Sequence, residues 1–420
     1  MQSFRVLLFS PRVCWPPLTG GHLRDYYLAR ELARRVPVIY LGIGTGTPSP
    51  VDSCFPQQAG LSFERSLCLP EEKRYTLWNI IRGLAGKTPI SILNYTSKRI
   101  SSELKLLLAD SHIDIVQIEG IHLANYIPTI RACAPRARIV CDWHNIESDV
   151  MSQYSTYASN VGRRLYARRT ASLLKRAERR LVAACDAHVV VSNEDAARLR
   201  KIVSDVRVHV VENGVDIEKY SAITMLPTTA NGALRRLKIV FVGSMDYHAN
   251  IQAAVGFVRD TWPLIHRKFP QLQFFLVGSN PARSVRELQR ISGVTVTGTV
   301  DDIRPYYKDA LAAVVPLRVG GGSRLKILEA MAAGVPVIST FAGAEGLGVK
   351  DRTNILIADT SDEMLEAVNF LHRSQEEWQH LTLAGHEFVK QGYDWTMLGE
   401  RLYSIHRQLI THSRLGRRDG

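Results

Sequence analysis

Residues Gly320-Gly321-Gly322-Ser323-Arg324-Leu325-Lys326 run directly into a helical pattern that carries Glu329. Three successive glycines let a loop bring its backbone N–H groups close to a ligand. Ser323 is placed to cap the helix. Arg324 and Lys326 then fall in the first helical turn, where the helix dipole disfavours cations. Two of them together imply a compensating anion. A diphosphate would gain from the loop N–H groups, the helix end and both side chains. Glu329 lies one to two turns further in, a depth that suits the paired hydroxyls of a ribose. Its competing use is an i,i+3 ion pair with Lys326, worth about a few tenths of a kcal/mol. Leu325, Leu328 and Ala332 face a core, Gly334 ends the helix, and Pro336 forbids its continuation.

A second glycine pair, Gly20-Gly21, follows Pro16-Pro17-Leu18-Thr19 and precedes a helix expected to open at His22. It offers either a close approach to a phosphate or a tight turn. His144 stands just after a strand-like run, at a strand's carboxyl end, where it serves a ligand or satisfies its own loop. Asn213-Gly214 reads as turn chemistry, and Ser192-Asn193-Glu194-Asp195 as a capping box that needs no function. The stretch Arg163–Arg180 holds eight Lys/Arg against one acid, Glu178. It is a solvated helical face or a patch for anionic lipid or an anionic acceptor. Lys73–Arg99, with Trp78, Ile80, Ile81 and Leu84, either supports that patch or is ordinary surface.

These residues need elements to hold them. Short apolar runs lacking strict alternation occur at Arg5–Phe9, Pro37–Leu41, Ile113–Ile118, Arg138–Cys141, Ala187–Val191 and Val206–Val211. They resume at Leu237–Val242, Gln273–Val277, Val294–Thr297, Ala312–Pro316 and Val335–Ser339. Such runs fit strands buried on both faces. Helical patterns lie between them, as at His22–Arg35, so the class is α/β with parallel sheets covered by helices. Ala222–Arg236, rich in loop formers, is the expected linker. The plan is a domain over 1–221, a linker over 222–236, a domain over 237–394 and a terminal helix over 395–412. In open α/β sheets ligands sit beyond the carboxyl ends of the strands, where the glycines and His144 fall.

Composition narrows the classes. The chain has 420 residues, 45% hydrophobic and 22% charged, as in a globular protein of two domains. No apolar run is long enough to span a bilayer. The first residues lack a basic n-region and a small-residue cleavage site, and read as a strand rather than a signal peptide. Six cysteines without a C-x-x-C pair suit buried thiols in a reducing compartment and show no zinc pattern. A cytoplasmic enzyme, peripheral on the inner face of the membrane if the basic helix meets lipid, is the expectation. The net charge of +13 favours an anionic partner.

Gly320–Ile338 resembles the signature of the retaining glycosyltransferases of family 4, the glycogen-synthase-like group with the GT-B fold. Supporting matches follow in order: Pro16–Gly21, Asp142-Trp143-His144-Asn145, Val190–Glu194, Glu212-Asn213-Gly214-Val215-Asp216 and Phe241-Val242-Gly243-Ser244. The resemblance spans about residues 4–395. It implies two facing Rossmann-like doubly wound domains with a cleft between them. The N-terminal one would bind a glycan or lipid-linked acceptor, the C-terminal one a UDP- or GDP-sugar, and the last helix would return to the first domain. It implies retention of configuration, no metal and no other cofactor. Donor contacts are expected from Gly20, Gly21, Gly243, Ser244, Gly278, Thr299, Val300, Gly322, Ser323, Arg324, Lys326 and Glu329, with His144, Arg324 and Lys326 at the reacting groups. The backbone near Gly278 and Thr299–Val300 would set base choice.

Two features depart from the family. Gly321 stands where many members have a Glu, and the loop Gly243–Asn250 lacks their Arg and Lys. Arg324 and Lys326 would replace that pair. Relatives sharing the Met-Asp-Tyr loop and the Arg-x-Lys helix start resemble transferases of surface-polysaccharide assembly. The competing readings are a nucleotide-sugar 2-epimerase, an inactive relative, and a membrane- or nucleic-acid-binding module. The basic helix has only Tyr166 among its cations, and no RNA or DNA motif is present, so no nucleic-acid partner is expected.

Overall fold

The computed structural model describes residues 4–17, 19–44, 55–70, 75–157, 160–224, 236–318 and 324–415. The chain forms two compact units, Met1–Glu212 with Trp395–Gly420, and Asn213–Asp394.

The first unit is built on seven parallel strands: β1 (Val6–Ser10), β2 (Val38–Ile43), β3 (Arg65–Leu69), β4 (Ile115–Glu119), β5 (Arg138–Trp143), β6 (Ala187–Val190) and β7 (Val208–Val210). Their order is β3-β2-β1-β4-β5-β6-β7. β1 pairs with both β2 and β4, so the strand order reverses beside it. The crevice beyond the carboxyl ends of β1 and β4 is therefore the switch point at which this architecture places ligands. Both faces of the sheet are covered. Leu7 and Phe9 join Ile39, Val116 and Leu181 on one side, while Val6 and Leu8 join Leu28, Leu32 and Leu402 on the other. That two-sided burial is why these strands read as unbroken apolar runs.

The second unit repeats the plan with β8 (Lys238–Val242), β9 (Gln273–Val277), β10 (Val294–Gly298), β11 (Ala310–Val315), β12 (Val337–Ser339) and β13 (Leu356–Ile357). The order is β10-β9-β8-β11-β12-β13, all parallel, with its reversal between β8 and β11. Two doubly wound α/β sheets make this the GT-B architecture.

Several expectations are adjusted. The first helix is Gly20–Ala33 and opens at Gly20 rather than His22, because Thr19 takes the cap and accepts from the His22 N–H. The unit boundary falls at Glu212, not Ser221. The helix Ile217–Thr224 packs in the second unit, where Arg304 donates to the Lys219 carbonyl (3.1 Å) and Tyr220 meets Tyr307. The expected linker lies mostly in 225–235, outside the described residues. The last helix, Trp395–Leu415, belongs to the first unit. Trp395 stacks on Tyr27 with ring centroids 5.3 Å apart, and Glu400 pairs with Arg35 at 2.8 Å. Gly399 lies so close to Glu31 that any Cβ there would fall 2.2 Å from the Glu31 Cβ.

Candidate active site

In the second unit the strand ends bring backbone and cations together. β8 delivers Gly243 and β9 delivers Gly278. Gly278 sits at φ +155°, and a Cβ on it would lie 1.7 Å from the Gly243 carbonyl oxygen. Only glycine permits that approach. Gly278→Ala is expected to cost about 2 kcal/mol of stability, measurable by urea unfolding. A loss below a few tenths would show that the two loops part easily.

Lys326 comes from the helix Leu325–Ala332, which follows β11. A Cβ on Gly243 would lie 3.3 Å from its Nζ. Nζ donates to Asn250 Oδ1 (2.6 Å) and stands over the Phe241 ring at 4.9 Å. Asn250 in turn donates to the Ser244 carbonyl (2.8 Å). Burial, with repulsion from Arg324, lowers the Lys326 pKa to about 8. An ammonium held against a neutral amide and a ring face is poised to gain from an anion.

Arg324, rather than the expected Ser323, stands at the helix cap position. Its Nε donates to the Glu345 carbonyl (3.3 Å) and its Nη2 lies 3.6 Å from the Glu345 carboxylate. Burial outweighs Glu345 and lowers its pKa. Glu329 stays close enough to Lys326 for the two charges to attract, without forming a direct ion pair with it. Tyr220 bonds its carboxylate, and burial raises its pKa to about 7. The expected i,i+3 pair gives way to Asn250 and Tyr220 as the two partners.

Ser244 donates to Asp246 (2.8 Å), which also receives a contact from Asn280. Its hydroxyl is thus engaged within its own loop. Thr299 and Val300 follow β10 at the sheet edge, Thr299 exposed. Gly322 and Ser323 lie outside the described residues.

The first unit gathers a second set of groups at its own switch point, and most of it was not anticipated. Asp25, on the first helix, accepts from Ser10 Oγ (2.9 Å) at the end of β1. His144 Nε2 lies 3.1 Å from Asp25 and 3.2 Å from Glu119, which ends β4. Arg12 Nε is 3.7 Å from Asp25. Burial alone would push His144 down, yet Asp25 and Glu119 outweigh it and raise its pKa to about 9. Asp25 is lowered, because Arg12 and His144 overcome the cost of its burial. Glu119 is raised by burial and by the nearby Asp142 carboxylate. Asp142 is itself clamped by two Arg24 nitrogens at 2.8 and 2.9 Å.

His144 is therefore an imidazolium at neutral pH, a donor and not a base. Its ring stands beside Gly21, where a Cβ would lie 3.7 Å from Nδ1. The same Cβ would strike the Arg12 guanidinium at 1.9 Å. The space that Gly21 leaves is thus occupied by Arg12. Gly20 opens the helix, with one N–H of the first turn already bound by Thr19. Asp25, Glu119 and His144 offer three donor atoms within 4.8 Å of one another, a spacing a metal ion could use. Here His144 already lies between both carboxylates, and Arg12 supplies further positive charge.

Two family models match the chain. Glycosyltransferase Family 4 matches residues 24–219 and Glycosyl transferases group 1 matches residues 236–374. An uncharacterized 44.6 kDa protein in the cps region of Klebsiella pneumoniae is 23% identical over 171 residues, covering 38% of this chain and 44% of that protein. A phosphatidyl-myo-inositol mannosyltransferase of Propionibacterium freudenreichii is 26% identical over 232 residues, covering 54% of this chain and 57% of that one. The chain thus spans about half the length of these curated relatives. Among solved structures, Anabaena HepE in complex with UDP and glucose superposes with a TM-score of 0.62 at 14% identity, covering 95% of this chain and 98% of that one. Two α/β units of Rossmann strand order, matched in turn by the two glycosyltransferase models, show that the chain belongs to the family 4-like glycosyltransferases of the GT-B fold.

Proposed function

We propose that the protein transfers a sugar, with retention of configuration, from a UDP- or GDP-sugar to a glycan or lipid-linked acceptor in the assembly of a surface polysaccharide. The observation that carries the donor half is Lys326, half-buried beside Gly243 at the second switch point, with no carboxylate in contact with it among the described residues. HepE, a structural neighbour, holds UDP and glucose, and a relative is encoded in a cps region.

Breaking the sugar–phosphate bond leaves negative charge on the departing diphosphate. Groups aimed at that charge lower the barrier most. Lys326, Arg324 and the N-terminus of their helix are assigned to it, and Glu329 to the ribose hydroxyls. The acceptor hydroxyl attacks from the face the diphosphate leaves and gives its proton to a phosphate oxygen. Charged His144, in the first unit, donates to a sugar hydroxyl. On this reading side-chain cations do the work of a metal ion, and turnover persists in excess chelator. The enzyme works in the cytoplasm, where such donors are made.

The first test is thermal stabilisation by UDP, GDP, ADP and CMP, beside Arg324→Ala. One diphosphate is expected to raise the melting temperature, and Arg324→Ala to lower turnover at least roughly tenfold with folding intact. Unchanged kinetics in the variant would remove Arg324 from the site. No shift with any nucleotide would remove the donor reading.

A further inference from the structure

The first unit carries an outer face that its own interior does not use. The helix Val161–Ala184 buries Ala167, Leu173, Leu174 and Leu181. Its one acid, Glu178, also points inward, where it accepts from the Ser148 N–H (2.8 Å) and the Ser148 hydroxyl. All eight Lys/Arg between 163 and 180 are exposed. With the acid turned in, every exposed charge between 163 and 180 is positive.

Beside it lies the helix Leu77–Ala85, whose sequence LWNIIRGLA is mostly apolar. Its inward contact is made through Gly83, where a Cβ would lie 2.8 Å from that of Ile90. Leu77, Trp78 and Ile81 remain 75%, 65% and 49% exposed. Leu84 lies outside the described side chains. The first turns of the basic helix add Val161 and Leu165, both exposed. Arg169 Nη2 donates to the Gly86 carbonyl (3.1 Å) and ties the end of the short helix to the basic one.

We propose that this face docks on an anionic lipid bilayer. Leu77, Trp78 and Ile81 enter the boundary between headgroups and acyl chains, and the basic helix lies over the headgroups. Each signal alone gives weak, reversible binding, and the two together give stable peripheral attachment. Charge selects this occupant over a second copy of the chain, since a two-fold contact would set the same cations against each other. The aliphatic side chains select it over nucleic acid, whose backbone gives Leu77, Ile81 and Leu165 nothing to bury against. The inference deepens the function proposed above by naming the lipid-linked class of acceptor, and rests on it only there.

The experiment uses the full chain with vesicles of phosphatidylglycerol and phosphatidylcholine, and with phosphatidylcholine alone, at low and high salt. Two variants accompany it: Trp78→Ser with Ile81→Ser, and Arg168→Glu with Arg176→Glu. The wild type is expected to sediment with the anionic vesicles at low salt, and each variant to bind roughly tenfold or more weakly. Brominated acyl chains are expected to quench tryptophan emission in the wild type and to lose that quenching in the Trp78→Ser variant. Nucleotide stabilisation must persist in both variants. If it persists while the wild type ignores anionic vesicles, or while the variants bind them equally well, the docking inference falls and the transferase reading stands. Binding to single-stranded RNA without vesicle binding, or a dimer that the variants dissociate, overturns it in favour of that partner. Loss of nucleotide stabilisation in the wild type would instead strike the transferase reading.

Discussion

Lys326→Met is expected to lower turnover by about a hundredfold or more with the second unit still folded. Methionine keeps the length and the contact with Phe241 but removes the charge. The pH signature is sharper than the rate. In the free protein the Lys326 pKa is lowered to about 8 from an ordinary 10.5, so folding disfavours its charged form. The contribution of Lys326 to stability therefore improves as pH rises from about 8 toward 10.5. A bound diphosphate reverses this by holding the ammonium charged. Binding above pH 8 should then take up a proton, and affinity for the nucleotide should fall as pH rises through about 8. Calorimetry in two buffers of different ionisation heat measures the proton directly. Affinity that is flat across this range, with no proton uptake, would place the diphosphate elsewhere. Lys326→Met should abolish the pH dependence along with most of the rate.

Asp25→Asn should be among the most destabilising single substitutions in the first unit. Asp25 is buried between two cations, Arg12 and His144, and it also holds Ser10. Removing its charge leaves Glu119 to offset both cations in a poorly solvated pocket, at a cost of about 3–5 kcal/mol. The pH dependence has two edges. Asp25 is lowered in the fold, so its contribution is complete above its ordinary pKa and is lost as acid protonates it. His144 is raised, so its contribution is complete below its ordinary 6.5 and is lost as pH rises through about 9. The gap between wild type and variant should be widest near pH 5–6.5 and should narrow beyond pH 9. Urea unfolding across that range measures it. A loss under about 1 kcal/mol, unchanged with pH, would mean that the cluster is not charged as described. Ser10→Ala, which removes the hydrogen bond to Asp25 and the one from the Arg12 N–H but no charge, is the small-effect control.

Most of the strands that the sequence announces are buried on both faces, as at Leu7-Leu8-Phe9, while the edge strands β7 and β10 show through their β-branched residues. β3 escaped because it opens on two polar residues, Arg65 and Ser66, and leaves only Leu67-Cys68-Leu69 as an apolar run. β13 is two residues long and leaves no pattern. Lys326, Gly243 and Gly278 were legible because each follows a strand in a segment that departs from ordinary helix or loop chemistry. Asp25 was not. It sits among Tyr26, Tyr27 and Leu28 on a helix whose buried face carries charge, and nothing local says which carboxylate turns inward. Glu119 carried a usable signal, a carboxylate closing the apolar strand Ile115–Glu119 directly before Gly120 at a switch-point strand end. Gly21 reads in the sequence as a phosphate approach or a tight turn, and what the sequence does not show is that its missing side chain also makes room for Arg12. The distinction depends on two segments meeting, which no single stretch of sequence records.

The final helix bears on how the protein is made. Tyr27, Leu28 and Leu32 pack against Trp395, Leu398 and Leu402, partners that leave the ribosome only after the whole of the second unit. The second unit is one continuous stretch and can complete itself while synthesis proceeds. The first, though translated earlier, must wait with an apolar flank uncovered until the last helix emerges. Order of synthesis and order of completion are thus inverted, and the nascent first unit is the species a chaperone would meet.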